Sequence, residues 1–487
     1  MSLKNQIINV VCEKIVFPGQ SLCRCEDGLV LFTDWLLPKE TAEVLVVRDK
    51  KTYRDGILKS IVLESKDRIN PRCSSFGICG GCYFQNLSYE NQLILKQEYL
   101  KELLSFTDLN ISTIIPSPLQ WYYRNKMEFS FFNSRGTVDL GLHEKGNFNK
   151  YVPVPPCYIC DKDFIKVVDI VKHFAKESKL FAYDNKKHEG FFRHVVLRKA
   201  QNNNQLLVNI VTNESTMGQD VLRPIVNELS VFVDSLYWTI NSRRSDAVVV
   251  NKLILLHGKP CIREKLNVGS KDFYFNISPF SFFQTSSKGT EILYNQVLKL
   301  LKPSKHDTLL DLYCGTGTIG LSVACSVKEV VGVDIIPEAI ASAKENLILN
   351  NINNAQFFVA SCQDWVDTTE YNFDLVVVDP PRAGLTEKVI NFLLFSKAKR
   401  IVYVSCNPST LGRDLQIIVE SGKYNLTEIV PIDVFAHTSH VEVVVALESD
   451  LTALTKKKGK ALIKKVERGN PKGQGRLELG FLEKSLN

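Results

Sequence analysis

From about residue 290 the chain alternates an apolar run of strand length, a loop and a helix, and then repeats the unit. The runs are TLLDLYC, EVVGVDI, NAQFFVA, FDLVVVDP, RIVYVSC and HVEVVVALE. Strand and helix in strict alternation are the signature of a doubly wound parallel sheet with helices on its faces. Residues 290–450 are therefore read as a Rossmann-like α/β domain, and ligands are expected beyond the carboxyl ends of its strands.

A chain of 487 residues is too long for one ordinary core, so other domains must precede this one. Residues 1–64 carry the short strands IINVVCEKIVF, GLVLFT, AEVLVVR and ILKSIVLES, with turn signals at Pro18-Gly19 and Asp27-Gly28, which predicts a small β-barrel. Residues 65–90 form a cysteine-rich, turn-rich link. Residues 91–289 mix a helix, LILKQEYLKELL, with the alternating segments YYRNKMEFSFF, FRHVVLRKA and QLLVNIVT, as an α+β middle domain would. Residues 451–487, with Lys456, Lys457, Lys458, Lys460, Lys464, Lys465 and Arg468, read as a basic flexible tail.

Composition narrows the class. Hydrophobic residues at 45% and charged residues at 23% fit a soluble globular protein. No apolar run reaches the roughly 18 residues of a membrane span, and MSLKNQIINVVCEK lacks the apolar core of a signal peptide, so a cytoplasmic protein with no membrane contact and no obligate protein partner is expected. The net charge of +7 permits a polyanionic partner without requiring one. Thirteen cysteines in a reducing compartment point to metal ligation or nucleophilic chemistry rather than to disulfides.

The segment Asp311-Leu-Tyr-Cys-Gly315-Thr-Gly317-Thr-Ile-Gly320 ends one strand and opens a helix, so that the backbone can approach a ligand there. Asp334 closes the next strand, where a carboxylate can accept hydrogen bonds from ribose hydroxyls. These residues alone suit a nicotinamide dinucleotide as well as S-adenosyl-L-methionine. Two later segments favour the second, Asp379-Pro-Pro-Arg-Ala-Gly384 after the fourth strand and Ser405-Cys406-Asn407-Pro408 after the fifth. A dehydrogenase has no evident use for them, whereas a methyltransferase needs a substrate-positioning loop beside the methyl donor. Cys406 is a candidate nucleophile, which needs a neighbouring positive charge or donor to ionise. Arg382 and Arg413 are candidates for that task, and Glu442, His437 or His440 for a base on the adjoining strand end.

DLYCGTGTIGL, DPPRAGL, SCNPSTLGRDL and HTSHVEVVVALE resemble, in order and spacing, the motifs of the uracil-5 RNA methyltransferase family, which makes 5-methyluridine in tRNA and ribosomal RNA. The resemblance covers most of the chain except the basic tail. It implies that the chain methylates carbon 5 of a uridine in RNA, with S-adenosyl-L-methionine as donor, Cys406 as nucleophile and Glu442 as base. It carries cofactor contacts over to Gln284 in SPFSFFQTS, to Tyr313, Thr318 and Asp334 and, less directly, to Ser361, with Asp379 between cofactor and uracil. Carbon 5 of uracil is a poor nucleophile, and addition of a thiolate to carbon 6 makes it electron-rich; a base must then remove the C5 proton so that the thiolate can leave. Ser286 stands where the family usually has asparagine, and Gln363 where an acid is common.

The N-terminal segment is similar to a TRAM domain, a small RNA-binding barrel, with Pro38-Lys39-Glu40 in place of the Pro-Gly-Glu seen in many of them. A second cysteine group, Cys73, Cys79 and Cys82 with Cys157 as a distant fourth and Cys160 as its competitor, suits tetrahedral zinc or a [4Fe-4S] cluster. The family resemblance favours the cluster, in a structural role. Arg124-Asn125-Lys126 is either a loop for phosphates or the unstacked base, or a solvated turn. Cytosine-5 methylation is disfavoured because no Pro-Cys pair follows the fourth strand, and amino-directed methylation because the loop lacks Asn-Pro-Pro-aromatic. An RNA-binding factor without activity would have no need of Cys406, Glu442, Asp379 and Asp334 together.

Overall fold

The computed structural model describes residues 2–154, 156–244, 251–369 and 371–450; the basic tail lies outside the described residues. Strands β1 (Ile7–Val16), β2 (Gln20–Arg24), β3 (Val30–Asp34), β4 (Thr41–Asp49) and β5 (Tyr53–Leu63) close into a barrel in the order β1-β2-β3-β5-β4. Alternate side chains, among them Val10, Cys12, Cys23, Leu31, Val44 and Val46, fill its interior. Lys39 turns the chain into β4 with φ +73, a left-handed conformation that glycine adopts without strain. The turn holds because Glu40 behind it is fully buried, accepts the Leu37 amide at 2.8 Å and pairs with Arg68 at 2.5 Å.

The chain continues through α1 (Tyr89–Leu103), β6 (Lys126–Ser134), β7 (Thr137–Glu144), β8 (Asn147–Pro153), α2 (Lys162–Glu177), β9 (Phe192–Ala200), β10 (Gln205–Thr212), α3 (Gly218–Leu229), β11 (Ser235–Ile240) and β12 (Lys252–Gly258). Seven strands form one sheet, β12-β11-β10-β9-β6-β7-β8, against which α2 and α3 bury Phe164, Val167, Val171, Leu222 and Ile225. The hairpin of β13 (Ile262–Val268) and β14 (Lys271–Ile277) leads into the last domain.

That domain comprises α4 (Ser287–Leu301), β15 (Thr308–Leu312), α5 (Thr318–Ala324), β16 (Glu329–Asp334), α6 (Pro337–Leu349), β17 (Ala355–Val359), α7 (Cys362–Thr368), β18 (Leu375–Val378), α8 (Glu387–Phe395), β19 (Arg400–Ser405), α9 (Pro408–Glu420), β20 (Tyr424–Ile432) and β21 (Glu442–Ser449). The sheet order is β17-β16-β15-β18-β19-β21-β20, doubly wound with its switch point between β15 and β18. Successive residues alternate between two cores. Leu309, Val330 and Val402 meet α4 and α6 on one face, and Leu310, Val331 and Ile401 meet α7, α8 and α9 on the other. All six C-terminal runs read from the sequence are strands. β20 was not among them: it carries Pro431 and several polar residues, tolerable because it is the outermost named strand of its sheet.

Helix α1 buries Leu100 and Leu104 in the second of these cores, so it serves the C-terminal sheet rather than the middle one. Phe17 of the barrel stacks on Tyr99 of α1 with ring centroids 3.8 Å apart, and the Tyr99 hydroxyl lies 2.9 Å from that of Ser409 at the start of α9. Deeper in the interface Lys96 of α1 and Asp433, just after β20, form a 2.7 Å ion pair with both side chains at 0% exposure. The Tyr89 hydroxyl donates to the other Asp433 oxygen at 2.8 Å. Burial lowers the Lys96 pKa, and Asp433 opposes that shift. Among the described residues no helix is long and apolar enough to cross a membrane.

Removing one partner of a fully buried pair leaves an uncompensated charge, so Lys96→Met should destabilise the protein by about 3–5 kcal/mol. Adding Asp433→Leu should recover much of that loss. Urea unfolding of the single and double variants checks both statements, and a double variant no more stable than the single one would show that the charge is not the cause.

Candidate active site

Strand β15 ends at Leu312, and the chain then turns through three residues of positive φ, Tyr313 (+64), Gly315 (+54) and Gly317 (+76), before α5 begins at Thr318. A Cβ on Gly317 would lie 2.8 Å from the Phe357 ring, so the turn needs glycine for space as well as for conformation. Asp334, at the end of β16, accepts the Gly315 amide at 2.9 Å and the Ile336 amide at 2.9 Å, tying the glycine loop to the next strand. A carboxylate has about four acceptor sites, so Asp334 keeps capacity for ligand hydroxyls. The Thr318 hydroxyl lies 2.8 Å from that of buried Tyr294. The main-chain carbonyl of Gln284 accepts from Asn125 at 3.2 Å, Ser286 caps α4, and Ser361 stands at the N-cap of α7 beyond the end of β17.

Asp311, near the end of β15, is a functional candidate that strand periodicity alone does not mark. It is fully buried; one oxygen accepts the Gly320 amide at 2.8 Å, and the other is without a hydrogen-bond partner among the described residues. Burial pushes its pKa up to about 8, and the Asp379 and Asp334 charges add to the shift.

Cys406 follows the last residue of β19, and Glu442 is the first residue of β21. These strands are antiparallel with Ser405 paired to Val443, so the residue after one and the residue before the other reach the same edge of the sheet. Asp379 follows β18, the neighbour of β19. The loop from Asp379 to Leu385 is bound to α9. Asn407 caps that helix and donates to the Arg382 carbonyl at 2.8 Å, Thr410 donates to the same carbonyl at 3.2 Å, and Asp414 accepts from the Leu385 amide and the Tyr403 hydroxyl, each at 2.8 Å. Arg413 donates to the Ala383 carbonyl at 3.0 Å and pairs with Asp414 at 2.8 Å. The two candidate arginines thus divide: Arg413 is engaged with the loop, and Arg382 is the cation that favours ionised Cys406.

Burial pushes the Cys406 thiol up to about 11, the Glu442 and Asp379 charges add to that, and Arg382 opposes it. Glu442 rises to about 8 through burial and then Asp379, again with Arg382 opposing, and Asp379 rises to about 7 through burial. A carboxylate base with a pKa near the working pH is well matched to proton transfer. The histidines are less suited. His437 is stacked on Trp121 at 3.8 Å, its Nδ1 lies 3.1 Å from the Gln92 amide nitrogen, and burial pushes its pKa down to about 4. His440 lies 3.2 Å from Arg382 and is likewise pushed down to about 4 by burial and then by Arg382.

Cys73, Cys79, Cys82 and Cys157 line one cavity of about 480 Å³, which His440 and Arg124 also border. The Gly81 amide donates to the Cys79 sulfur at 3.4 Å and the Gln85 side chain to the Cys82 sulfur at 3.2 Å. Burial raises the Cys82 thiol to about 12, whereas hydrogen bonding from Cys160 lowers Cys157. Cys160 is fully buried behind it, with its thiol donating to the Cys157 carbonyl at 3.4 Å. Among the described residues no group of three or more His, Cys, Asp or Glu could hold a single metal ion. The Arg124-Asn125-Lys126 segment is not a solvated turn. Asn125 is buried and donates to Gln284 and, at 2.9 Å, to Ser287, while burial lowers Lys126 to about 8.

Residues 88–450 match the family model described as tRNA (uracil-5-)-methyltransferase. An uncharacterized RNA methyltransferase of Caldanaerobacter subterraneus subsp. tengcongensis is 39% identical over 91% of this chain and 99% of its own length, and one of Clostridium tetani is 37% identical over 89% and 96%. The crystal structure of Pyrococcus abyssi tRNA (uracil-54, C5)-methyltransferase in complex with S-adenosyl-L-homocysteine superposes with a TM-score of 0.73 at 30% identity, covering 90% of this chain and 99% of the other.

Alkylation of Cys406 by iodoacetamide reads its ionisation directly. Because the thiolate is the reactive form, the rate should rise from about pH 7 to about pH 9, but by less than about tenfold per unit, since Glu442 and Asp379 ionise over the same range and oppose the thiolate. Arg382→Gln should slow it by removing the one opposing charge, and Glu442→Gln should speed it. Peptide mapping by mass spectrometry checks this, and a rate insensitive to both substitutions would contradict the electrostatic account.

Proposed function

The chain belongs to the tRNA (uracil-5-)-methyltransferase family, and from that premise we propose that it methylates carbon 5 of a uridine in RNA through a covalent bond between Cys406 and carbon 6. The observation that carries this reading is the meeting of Cys406 and Glu442 at one sheet edge, with Asp379 beside them. The Cys406 thiolate adds to carbon 6 of the unstacked uracil, and carbon 5 becomes the nucleophile. S-adenosyl-L-methionine would be held by Gln284, Tyr313, Thr318, Asp334 and Ser361, with Asp379 towards the uracil, and would supply the methyl group that carbon 5 takes as the S–CH3 bond breaks and S-adenosyl-L-homocysteine is released. Glu442, ionised, then takes the C5 proton, and the Cys406 sulfur leaves as the 5,6 double bond re-forms.

The raised pKa values support this choice of donor. Asp379, Glu442 and Cys406 each hold a proton more tightly than usual, chiefly because they are buried, and a positively charged ligand would favour the ionised form of all three. A donor carrying a sulfonium charge meets that need.

The four thiols Cys73, Cys79, Cys82 and Cys157 are the set that would hold a [4Fe-4S] cluster, the choice over zinc resting on the family resemblance. They border one cavity, and hydrogen-bond donors point at two of the sulfurs. Such a cluster would crosslink the loop of residues 73–82 to Cys157. The N-terminal barrel, similar to a TRAM domain, would hold RNA outside the site.

Incubation with S-adenosyl-L-methionine and an RNA pool containing 5-fluorouridine tests the mechanism, because fluorine at carbon 5 cannot leave as a proton. A denaturing gel should show a protein–RNA adduct for the native chain and none for Cys406→Ser, and sequencing the trapped RNA distinguishes tRNA from ribosomal RNA. Equal trapping by Cys406→Ser would sink the proposal. With ordinary RNA, Glu442→Gln should accumulate the adduct and slow product formation by about 10²- to 10⁴-fold, the usual worth of a positioned base.

A further inference from the structure

Trp121, Tyr122 and Tyr158 stand together, all partly exposed, around the exposed side chain of Arg72. The Arg72 guanidinium lies 4.1 Å from the Tyr158 ring centroid, 5.2 Å from that of Trp121 and 5.6 Å from that of Tyr122. Exposed Lys162, at the start of α2, lies 4.8 Å from the Tyr122 ring. Among the described residues neither cation forms an ion pair. Tyr122 has φ +58, a conformation an aromatic residue adopts only where its surroundings impose it. Its amide is held by the Tyr158 carbonyl at 2.8 Å and its carbonyl by Gln201 at 3.1 Å.

We propose that this cluster is a stacking platform for single-stranded RNA bases flanking the target uridine, a reading that rests on the function proposed above. Trp121 also stacks on His437, and from His437 the chain runs within five residues to Glu442, so the platform is the outer side of the segment that carries the candidate base. A uridine drawn out of a stack leaves its neighbours without partners, and aromatic rings or a guanidinium plane can replace them. Arg72 and Lys162 add charge opposite to that of phosphates.

The test uses the full chain and a short fluorescein-labelled oligoadenylate, which contains no uridine, so that its outcome does not depend on the uracil chemistry. Tyr122→Asn, which removes the ring and tolerates the same backbone, should weaken binding about tenfold with the salt slope unchanged. Arg72→Gln and Lys162→Gln should each weaken binding and reduce the slope of log affinity against log salt by about 0.7, the value per phosphate contact on single strands. S-adenosyl-L-methionine binding should be unaffected in all three. With the natural RNA the losses should appear in KM and leave kcat in place. Unaltered oligoadenylate binding in the three variants overturns the platform, as does a loss of cofactor binding that tracks the loss of RNA binding, which would mark the cluster as a structural brace.

Discussion

A parallel sheet offers its ligand edge only the trailing ends of strands, and this site also uses the leading residue of one. β15, β16, β18 and β19 deliver the glycine loop, Asp334, Asp379 and Cys406 in the ordinary way. Glu442 reaches the same edge because β21 returns antiparallel to β19. The β19–β21 register sets Glu442 opposite Cys406, and the segment leading into β21 is held at Asp433 by Lys96 and Tyr89 of α1. A helix distant in sequence from the sheet therefore buttresses the chain that leads into the strand carrying Glu442.

The electrostatics of the site run against the stability of the empty protein. A carboxyl whose pKa is higher folded than unfolded supports folding only while protonated. For Glu442 that support is present below the ordinary carboxyl range and is lost as pH rises towards about 8. Asp379 loses it towards about 7, and buried Asp311, with one oxygen unpartnered, adds a third group of the same kind. Local violation of the usual burial rules at a site of chemistry is common, and here all three carboxyls lie at one edge of the same sheet.

Much of this was legible in the sequence, and what was not has identifiable physical reasons. The C-terminal strands announce themselves because they are apolar throughout, whereas β20 and β2 are short of apolar residues or broken by Pro431. The positions of Cys406, Glu442, Asp379 and Asp334 follow from strand ends, which periodicity finds. The network of Asn407, Thr410, Arg413 and Asp414 does not, because it depends on which face of α9 meets the loop before α8. The same holds for Arg382 and Arg413, equivalent as symbols and separated only by their hydrogen-bond partners, and for Cys157 and Cys160, of which only burial tells which borders the cavity.

The ring of Phe17 lies against Tyr99, whose hydroxyl reaches Ser409 three residues beyond Cys406. Domains joined only by a linker can be exchanged between proteins as cassettes, but this barrel packs on α1, which in turn touches the first turn of the helix that follows Cys406. A chimera carrying a foreign barrel would have to reproduce that aromatic face as well as the chain junction. The barrel and the C-terminal sheet are thus tied to change as a unit through that aromatic contact.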